Sequence, residues 1–438
     1  MTNSSAIVEV RKLNPYERFL WLSGLRGSYC TAFVLRLKQK FSREVIKNAF
    51  SAFANSCPLV SACVQARGND FFFKEERESD FSIIFSNTGG ENTWEKIIEK
   101  RLNIPFKEGA HLIRVECIQG AEVTDLIVFA HHLLGDGVTC SMMAAALAHY
   151  LKYRTLPRDI VAQRTLDFDP IGQFLCRSLY EEKRDFGLLP NHNCSDALPC
   201  TYRYHIYSES ATAHFINSAK ENNTTVQGIL LAAITYATRK YLDAHQLDDE
   251  AIKVDCPINL RPYLAEEGVA ENELGCFFGL LPFKASRRSK QPFWELAKAF
   301  RNEIKRNLNK KIVSRTLSGI LDIVQRSTGA GDIRKLRTCT EPYVGVSNLG
   351  VVPLEEYTDL VEDFVPIVNL DEAFYREDSV YVIASTVSER LRLSFVYPKI
   401  QHNYSDKSPA SKIISGFLFT LNNIITNSKI ESDDCING

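Results

Sequence analysis

His131-His132-Leu133-Leu134-Gly135-Asp136-Gly137 closes the apolar run Asp125-Leu126-Ile127-Val128-Phe129-Ala130 and opens a second one, Val138-Thr139-Cys140-Ser141-Met142-Met143-Ala144-Ala145-Ala146-Leu147-Ala148-His149-Tyr150-Leu151. The first run reads as a strand. The second repeats apolar residues at i, i+3 and i+4 and reads as a helix. The heptapeptide between them is therefore a strand–turn–helix junction, in which Gly135 and Gly137 permit backbone angles that other residues adopt only with strain. Successive side chains of a strand point to opposite faces. His131 and His132 thus cannot both face one cavity: one is directed into the sheet interior, the other into a cleft.

Outward from this junction, strand and helix signals alternate. Residues 31–38 alternate apolar and polar as a half-buried strand does, and residues 43–56 carry helical spacing that stops before Pro58. Residues 59–67 and 71–75 flank Gly68-Asn69-Asp70, a hairpin signal. A helix over 94–102 and strands over 112–118 and 126–132 follow. Residues 154–200 change character, with Pro157, Pro170, Pro190 and Pro199 among polar clusters and one short helix over 174–182. A second block then begins. Strands are expected over 202–207, 251–257, 277–283 and 343–346, and helices over 211–221, 225–241, 293–309 and 314–327. A hairpin over 380–387 and 391–397 turns at Ser388-Glu389-Arg390, a helix over 413–425 closes the fold, and residues 430–438 are expected to fray. Mixed sheets with packed helices, occurring twice, give an α+β protein of two lobes. The expected division is residues 1–165 for the N-terminal lobe, 166–200 for a crossover and 201–438 for the C-terminal lobe.

The HHxxxDG heptapeptide resembles the active-site motif of the thioester-dependent acyltransferases. That superfamily includes nonribosomal peptide condensation domains, polyketide-associated acyltransferases and alcohol O-acetyltransferases. Four further segments are similar to it, in the expected order: Leu13-Asn14-Pro15-Tyr16-Glu17-Arg18-Phe19-Leu20; Asp255-Cys256-Pro257-Ile258-Asn259-Leu260-Arg261-Pro262; Asn272 to Pro282; and Val346-Ser347-Asn348-Leu349-Gly350. The DFGWG segment of the plant branch is absent, which argues against that branch. The resemblance implies two chloramphenicol-acetyltransferase-like lobes with an active-site tunnel at their interface. It implies that His132 is the catalytic base, that Asp136 orders the loop and pairs with Arg261, and that Gly137 lets the backbone pass close to the thioester. His131 is read as structural, its ring bonded to backbone near the interlobe surface. Without the resemblance, Asp136 stays open between a plain turn-former and one half of an ion pair.

Acyl transfer needs a base for the attacking group and a donor for the oxyanion. An imidazole with a pKa near neutral suits the first task, and Ser347 and Asn348 are candidates for the second, through hydroxyl, amide or backbone N–H. Gly275, Gly350, Phe277, Phe278 and Met142 could line the tunnel or only pack. The donor substrate implied is an acyl-coenzyme A or acyl-phosphopantetheine, with an acyl carrier protein as a possible partner; the acceptor is a hydroxylated small molecule or lipid. No permanently bound cofactor is expected, and no covalent acyl-enzyme.

Bulk properties exclude several classes. A formal charge of −1 over 438 residues offers no electrostatic case for nucleic acid. No apolar run approaches the roughly 20 residues that span a bilayer, and the start of the chain lacks a secretory pattern. The 12 cysteines are scattered without a CxxC pair and read as buried thiols in a reducing, cytoplasmic setting. No HxH, HExxH, P-loop or GxGxxG pattern appears, so neither a metal site nor nucleotide chemistry is expected. Arg287-Arg288-Ser289-Lys290 and residues 305–311 read as solvated faces, with phosphate binding as the alternative. The sequence thus points to a monomeric O-acyltransferase. The alternatives are a free-standing amide-forming condensation enzyme and a catalytically silent binding protein; the intact heptapeptide argues against the last.

Overall fold

The computed structural model describes residues 8–25, 29–75, 82–90, 92–157, 166–178, 199–247, 249–309, 311–326, 341–369, 376–399 and 408–426. The first half of the chain forms β1 (Val8–Lys12), α1 (Pro15–Gly24), β2 (Cys30–Leu37), α2 (Arg43–Ser56), β3 (Ala62–Arg67), β4 (Asp70–Glu75) and β5 (Ile83–Asn87). Next come α3 (Trp94–Arg101), β6 (Ile113–Gln119), β7 (Thr124–His131), α4 (Gly137–Tyr153) and α5 (Pro170–Ser178). The second half begins with β8 (Cys200–Ile206), α6 (Glu209–Glu221), α7 (Val226–Ala244), β9 (Ala251–Asn259), β10 (Phe278–Ser286), α8 (Phe293–Asn307) and α9 (Lys311–Arg326). It ends with β11 (Tyr343–Val351), β12 (Val361–Asn369), β13 (Val380–Val387), β14 (Arg390–Pro398) and α10 (Pro409–Ile425).

Two mixed sheets organise these elements. The N-terminal lobe holds a five-stranded sheet in the order β12-β2-β7-β6-β5, and the C-terminal lobe a six-stranded sheet in the order β10-β9-β11-β13-β14-β8. A small sheet, β1-β4-β3, flanks the first. β7 is buried along its whole length, and its apolar stretch Leu126–Ala130 suits a central strand covered on both faces. β12 comes from the far end of the chain yet pairs antiparallel with β2, Val365 opposite Val34, and completes the N-terminal sheet. The period-2 alternation of β2 feeds two cores. Phe33, Leu35 and Leu37 join the large cluster with α1, α2 and α4, while Cys30, Ala32 and Val34 join a smaller one with Tyr343, Tyr381 and Ile383 of the other sheet. That smaller cluster packs part of the seam between the two sheets.

Local chemistry sets the helix boundaries. α2 spans the expected residues, capped by the Ser42 side chain. α1 opens on a capping box in which Asn14 and Glu17 satisfy each other's backbone N–H, with Pro15 in the first turn. The helix expected over 174–182 starts earlier, at Pro170, because the Asp169 carboxylate accepts from Gly172 N–H at 2.9 Å; residues 179–182 lie outside the described residues, as do 430–438. β10 starts at Phe278 rather than 277, since the Phe277 N–H is committed to a carboxylate of the other lobe. The expected hairpin turns at Ser388 and Glu389, both at positive φ (47° and 59°).

Eight cysteines among the described residues are free and buried, as expected of thiols acting as small apolar groups: Cys30, Cys57, Cys63, Cys117, Cys140, Cys200, Cys256 and Cys276. Cys194, Cys339 and Cys435 lie outside the described residues. No helix among them is long and apolar enough to cross a membrane.

Candidate active site

β7 ends at His131, and the chain then turns through Leu133 to Gly135 into α4. The two histidines part as the strand geometry demands. His131 is fully buried within the N-terminal lobe, between the rings of Trp21 (5.2 Å) and Phe106 (5.6 Å) and against Gly24. Its Nδ1 accepts from Leu133 N–H at 3.0 Å. Burial, aided by the neighbouring His132 and Arg114, lowers its pKa to about 3, so this ring is neutral. His132 reaches instead into the wall of an interlobe cavity.

That cavity holds roughly 940 Å³ of empty space, its open mouth included. From the N-terminal lobe it takes Thr31, His132 and Gly137; from the six-stranded sheet, Lys253, Phe278 and Ser347; from β12, residues 366–368. Such interlobe clefts, mostly apolar with a few polar groups, are the usual home of small-molecule sites. The His132 ring packs against Phe278 at 4.8 Å between centroids, and its backbone N–H donates to Tyr29 O at 2.6 Å. Burial lowers its pKa, while hydrogen bonds to the backbone of His132 and Gly135 and the Asp136 charge oppose the shift. The imidazole is thus neutral at neutral pH and able to take a proton. Cys276 Sγ sits 3.4 Å behind it, at Nδ1. Cys276 also lines a second cavity with Tyr16, Glu17 and Asp169.

Asp136 does not line up with His132 as a partner. It caps α4, accepting from Thr139 N–H at 3.0 Å, and it receives Arg261 of the other lobe. Arg261 Nη1 donates to Oδ2 at 2.8 Å and Nη2 to Oδ1 at 3.1 Å, while Phe277 N–H donates to Oδ2 at 2.9 Å. The remaining guanidinium donors go to Glu273 O, Gly275 O, Asn259 Oδ1 and Thr139 Oγ1. Burial alone would raise the Asp136 pKa; the Arg261 charge and the hydrogen bonds from Arg261, Thr139 and Phe277 overcome it and hold the carboxyl below its usual range. Of the two readings left open by the sequence, both hold at once: Asp136 is a cap and one half of an ion pair.

The other expected residues divide. Gly137 and Ser347 line the cavity, and so does Phe278. Asn348 faces the other side of β11, exposed, with its side chain accepting from Gly350 N–H at 3.0 Å. Phe277 stacks under Arg261 at 5.0 Å, and Gly275, at φ 144°, supplies a carbonyl to the clasp. Met142 packs on the large core, and the cavity walls include neither His131, Gly350 nor Met142 among the described residues. Sequence reading missed Thr139, Tyr16 and Cys276. Thr139 could have been found from its place three residues after a capping Asp, whereas Tyr16 and Cys276 lie inside segments similar to the superfamily and nothing in those segments assigned either side chain a role. No group of three His, Cys, Asp or Glu side chains among the described residues is arranged to hold a metal ion.

Residues 200–395 match the family described as phthiocerol/phthiodiolone dimycocerosyl transferase C-terminus. No curated protein matches the chain. Among solved structures, polyketide synthase associated protein 5 from Mycobacterium tuberculosis superposes with a TM-score of 0.66 at 13% identity, covering 95% of this chain and 98% of that one. Trichothecene 15-O-acetyltransferase TRI3 from Fusarium sporotrichioides gives 0.66 at 14% identity, covering 97% and 96%. The condensation domain of the monacolin K polyketide synthase MokA gives 0.65 at 11% identity, covering 96% and 98%. At such identities the likeness concerns the fold, and it bears out the expected two chloramphenicol-acetyltransferase-like lobes. Together with the family match it agrees with the superfamily resemblance read from HHxxxDG.

Proposed function

We propose that this acyltransferase-superfamily chain transfers an acyl group from a coenzyme A or carrier-protein thioester to a hydroxyl, with His132 as general base. The observation that carries the reading is the His132 imidazole in the wall of an interlobe cavity, on a loop pinned by the Asp136–Arg261 clasp. His132 Nε2 takes the proton of the acceptor hydroxyl as its oxygen attacks the thioester carbonyl. The carbonyl oxygen becomes an oxyanion, for which the Ser347 hydroxyl in the cavity wall is the candidate donor. Collapse expels the thiolate, which recovers the proton from the imidazolium, leaving ester, thiol and neutral His132. No acyl-enzyme forms. Asp136 and Arg261 hold the loop and take no proton.

The second reading, amide formation, uses the same base. Condensation domains share this fold, while TRI3 is by its name an O-acetyltransferase; the match of Ser347 to Gly350 with the O-acyltransferase branch favours the ester. The test offers the purified protein labelled acyl-coenzyme A donors with matched alcohol and amine acceptors. Ester product supports the proposal. Amide product alone replaces it with the second reading, and no transfer from coenzyme A but transfer from an acyl carrier protein fixes the donor class.

A further inference from the structure

Three groups form a hydrogen-bond chain running from the back of His132 into the fold. His132 Nδ1 lies 3.4 Å from Cys276 Sγ. Cys276 Sγ lies 3.6 Å from Tyr16 Oη, and Tyr16 Oη donates to the carbonyl oxygen of Phe278 at 3.0 Å. All three side chains are buried. The direction of the chain is set at its far end. A carbonyl only accepts, and a phenol has one hydrogen to give. With that hydrogen on Phe278 O, Tyr16 can only accept from Cys276. The Cys276 proton stays on sulfur, because burial first and the nearby Asp136 charge second push the thiol well above its ordinary pKa. The sulfur then presents a lone pair to His132, and the hydrogen of that contact must come from Nδ1.

We propose that Tyr16 and Cys276 are positioning residues that hold His132 as the Nδ1–H tautomer, leaving the Nε2 lone pair for the incoming nucleophile. The inference rests on the reading of His132 as base and states how that base is kept competent. An imidazole with its proton on Nε2 cannot accept one there. The surroundings agree. The backbone hydrogen bonds to His132 and Gly135 favour a protonated ring nitrogen, the Asp136 carboxylate is taken up by Arg261, Thr139 and Phe277, and the remaining ring neighbours are Phe278 and Tyr29. His131 provides a built-in contrast. Its Nδ1 accepts from Leu133 N–H, so its proton sits on Nε2. Adjacent histidines therefore carry opposite tautomers.

Long-range nitrogen–proton correlation spectra of the ¹⁵N-labelled full chain read the tautomers directly, without substrate. The expected wild-type spectrum has Nδ1 protonated in His132 and Nε2 protonated in His131. In Tyr16→Phe the thiol loses its acceptor and turns to His132, moving the ring proton to Nε2; Cys276→Ser keeps acceptor and donor and retains the wild-type tautomer. Nε2–H at His132 in the wild type, or an unmoved tautomer in a folded Tyr16→Phe, overturns the proposal. Should Tyr16→Phe fail to fold, Cys276→Ala carries the test: a tautomer ratio equal to wild type overturns it, and a lost preference for Nδ1–H supports it. The base assignment is judged separately, since loss of transfer in His132→Ala stands even if the wild-type tautomer proves to be Nε2–H.

Discussion

Arg261 and Asp136 meet across the lobe seam as a two-bond clasp, at 2.8 and 3.1 Å, with 1% and 3% of each residue exposed. The pair joins the cap of α4, at the end of the HHxxxDG loop, to the segment that follows β9. It therefore fixes the loop and the lobes with the same atoms.

Removing one partner strands a buried charge. Arg261→Ala or Asp136→Asn is expected to destabilise the protein by about 3–5 kcal/mol. Replacing both, as in Asp136→Asn with Arg261→Met, is expected to lose less than either single change plus the other. Urea unfolding midpoints measure this; an unchanged midpoint in Arg261→Ala contradicts it.

Acid is expected to weaken the fold through His131. Its folded pKa, about 3, lies below the ordinary 6.5, so the unfolded chain binds the proton more readily. Its contribution is complete above pH 6.5 and falls by up to ~1.4 kcal/mol per pH unit between 6.5 and 3. Asp125, raised to about 6 by burial, works in the opposite sense between 6 and 3.8. The comparison with His131→Asn, whose amide oxygen can replace Nδ1 as acceptor for Leu133 N–H, isolates the histidine. The variant is expected to lose less stability than wild type between pH 7 and 5. Parallel curves would contradict the assignment.

At Gly137 the two walls of the cavity approach each other closely. A methyl group there would lie 2.4 Å from Leu349 Cδ2, a flexible side-chain end on the opposite wall. Alanine suits the first turn of α4, so Gly137→Ala is expected to fold with Leu349 displaced into the cavity. Activity toward long acyl donors should fall at least about tenfold relative to acetyl, and Leu349→Ala in the same chain should restore much of it. Equal loss for short and long donors would contradict a steric role.

Local signals carried most of this far. The apolar run to Ala130 and the turn into α4 are written in neighbouring residues, and the structure follows them; Gly135 and Gly137 adopt no positive φ, and stand instead where a side chain would meet Thr139 and Leu349. Ser347 and Asn348 show the limit: the segment was found, but strand alternation puts one side chain in the cavity and the other outside it. β12 could not be placed from sequence, because its pairing with β2 joins residues more than three hundred positions apart. Tyr16 and Cys276 sit in segments that the sequence singled out, but their alignment behind His132 was hidden for a related reason. A buried thiol and a helix tyrosine look like core until distance sets them in line behind an imidazole.

The most direct measurement is acyl transfer by His132→Ala, with the fold checked by unfolding and the product followed by intact mass. The account predicts a folded protein whose turnover is lower by ~10³ or more. Wild-type turnover in that variant would contradict it.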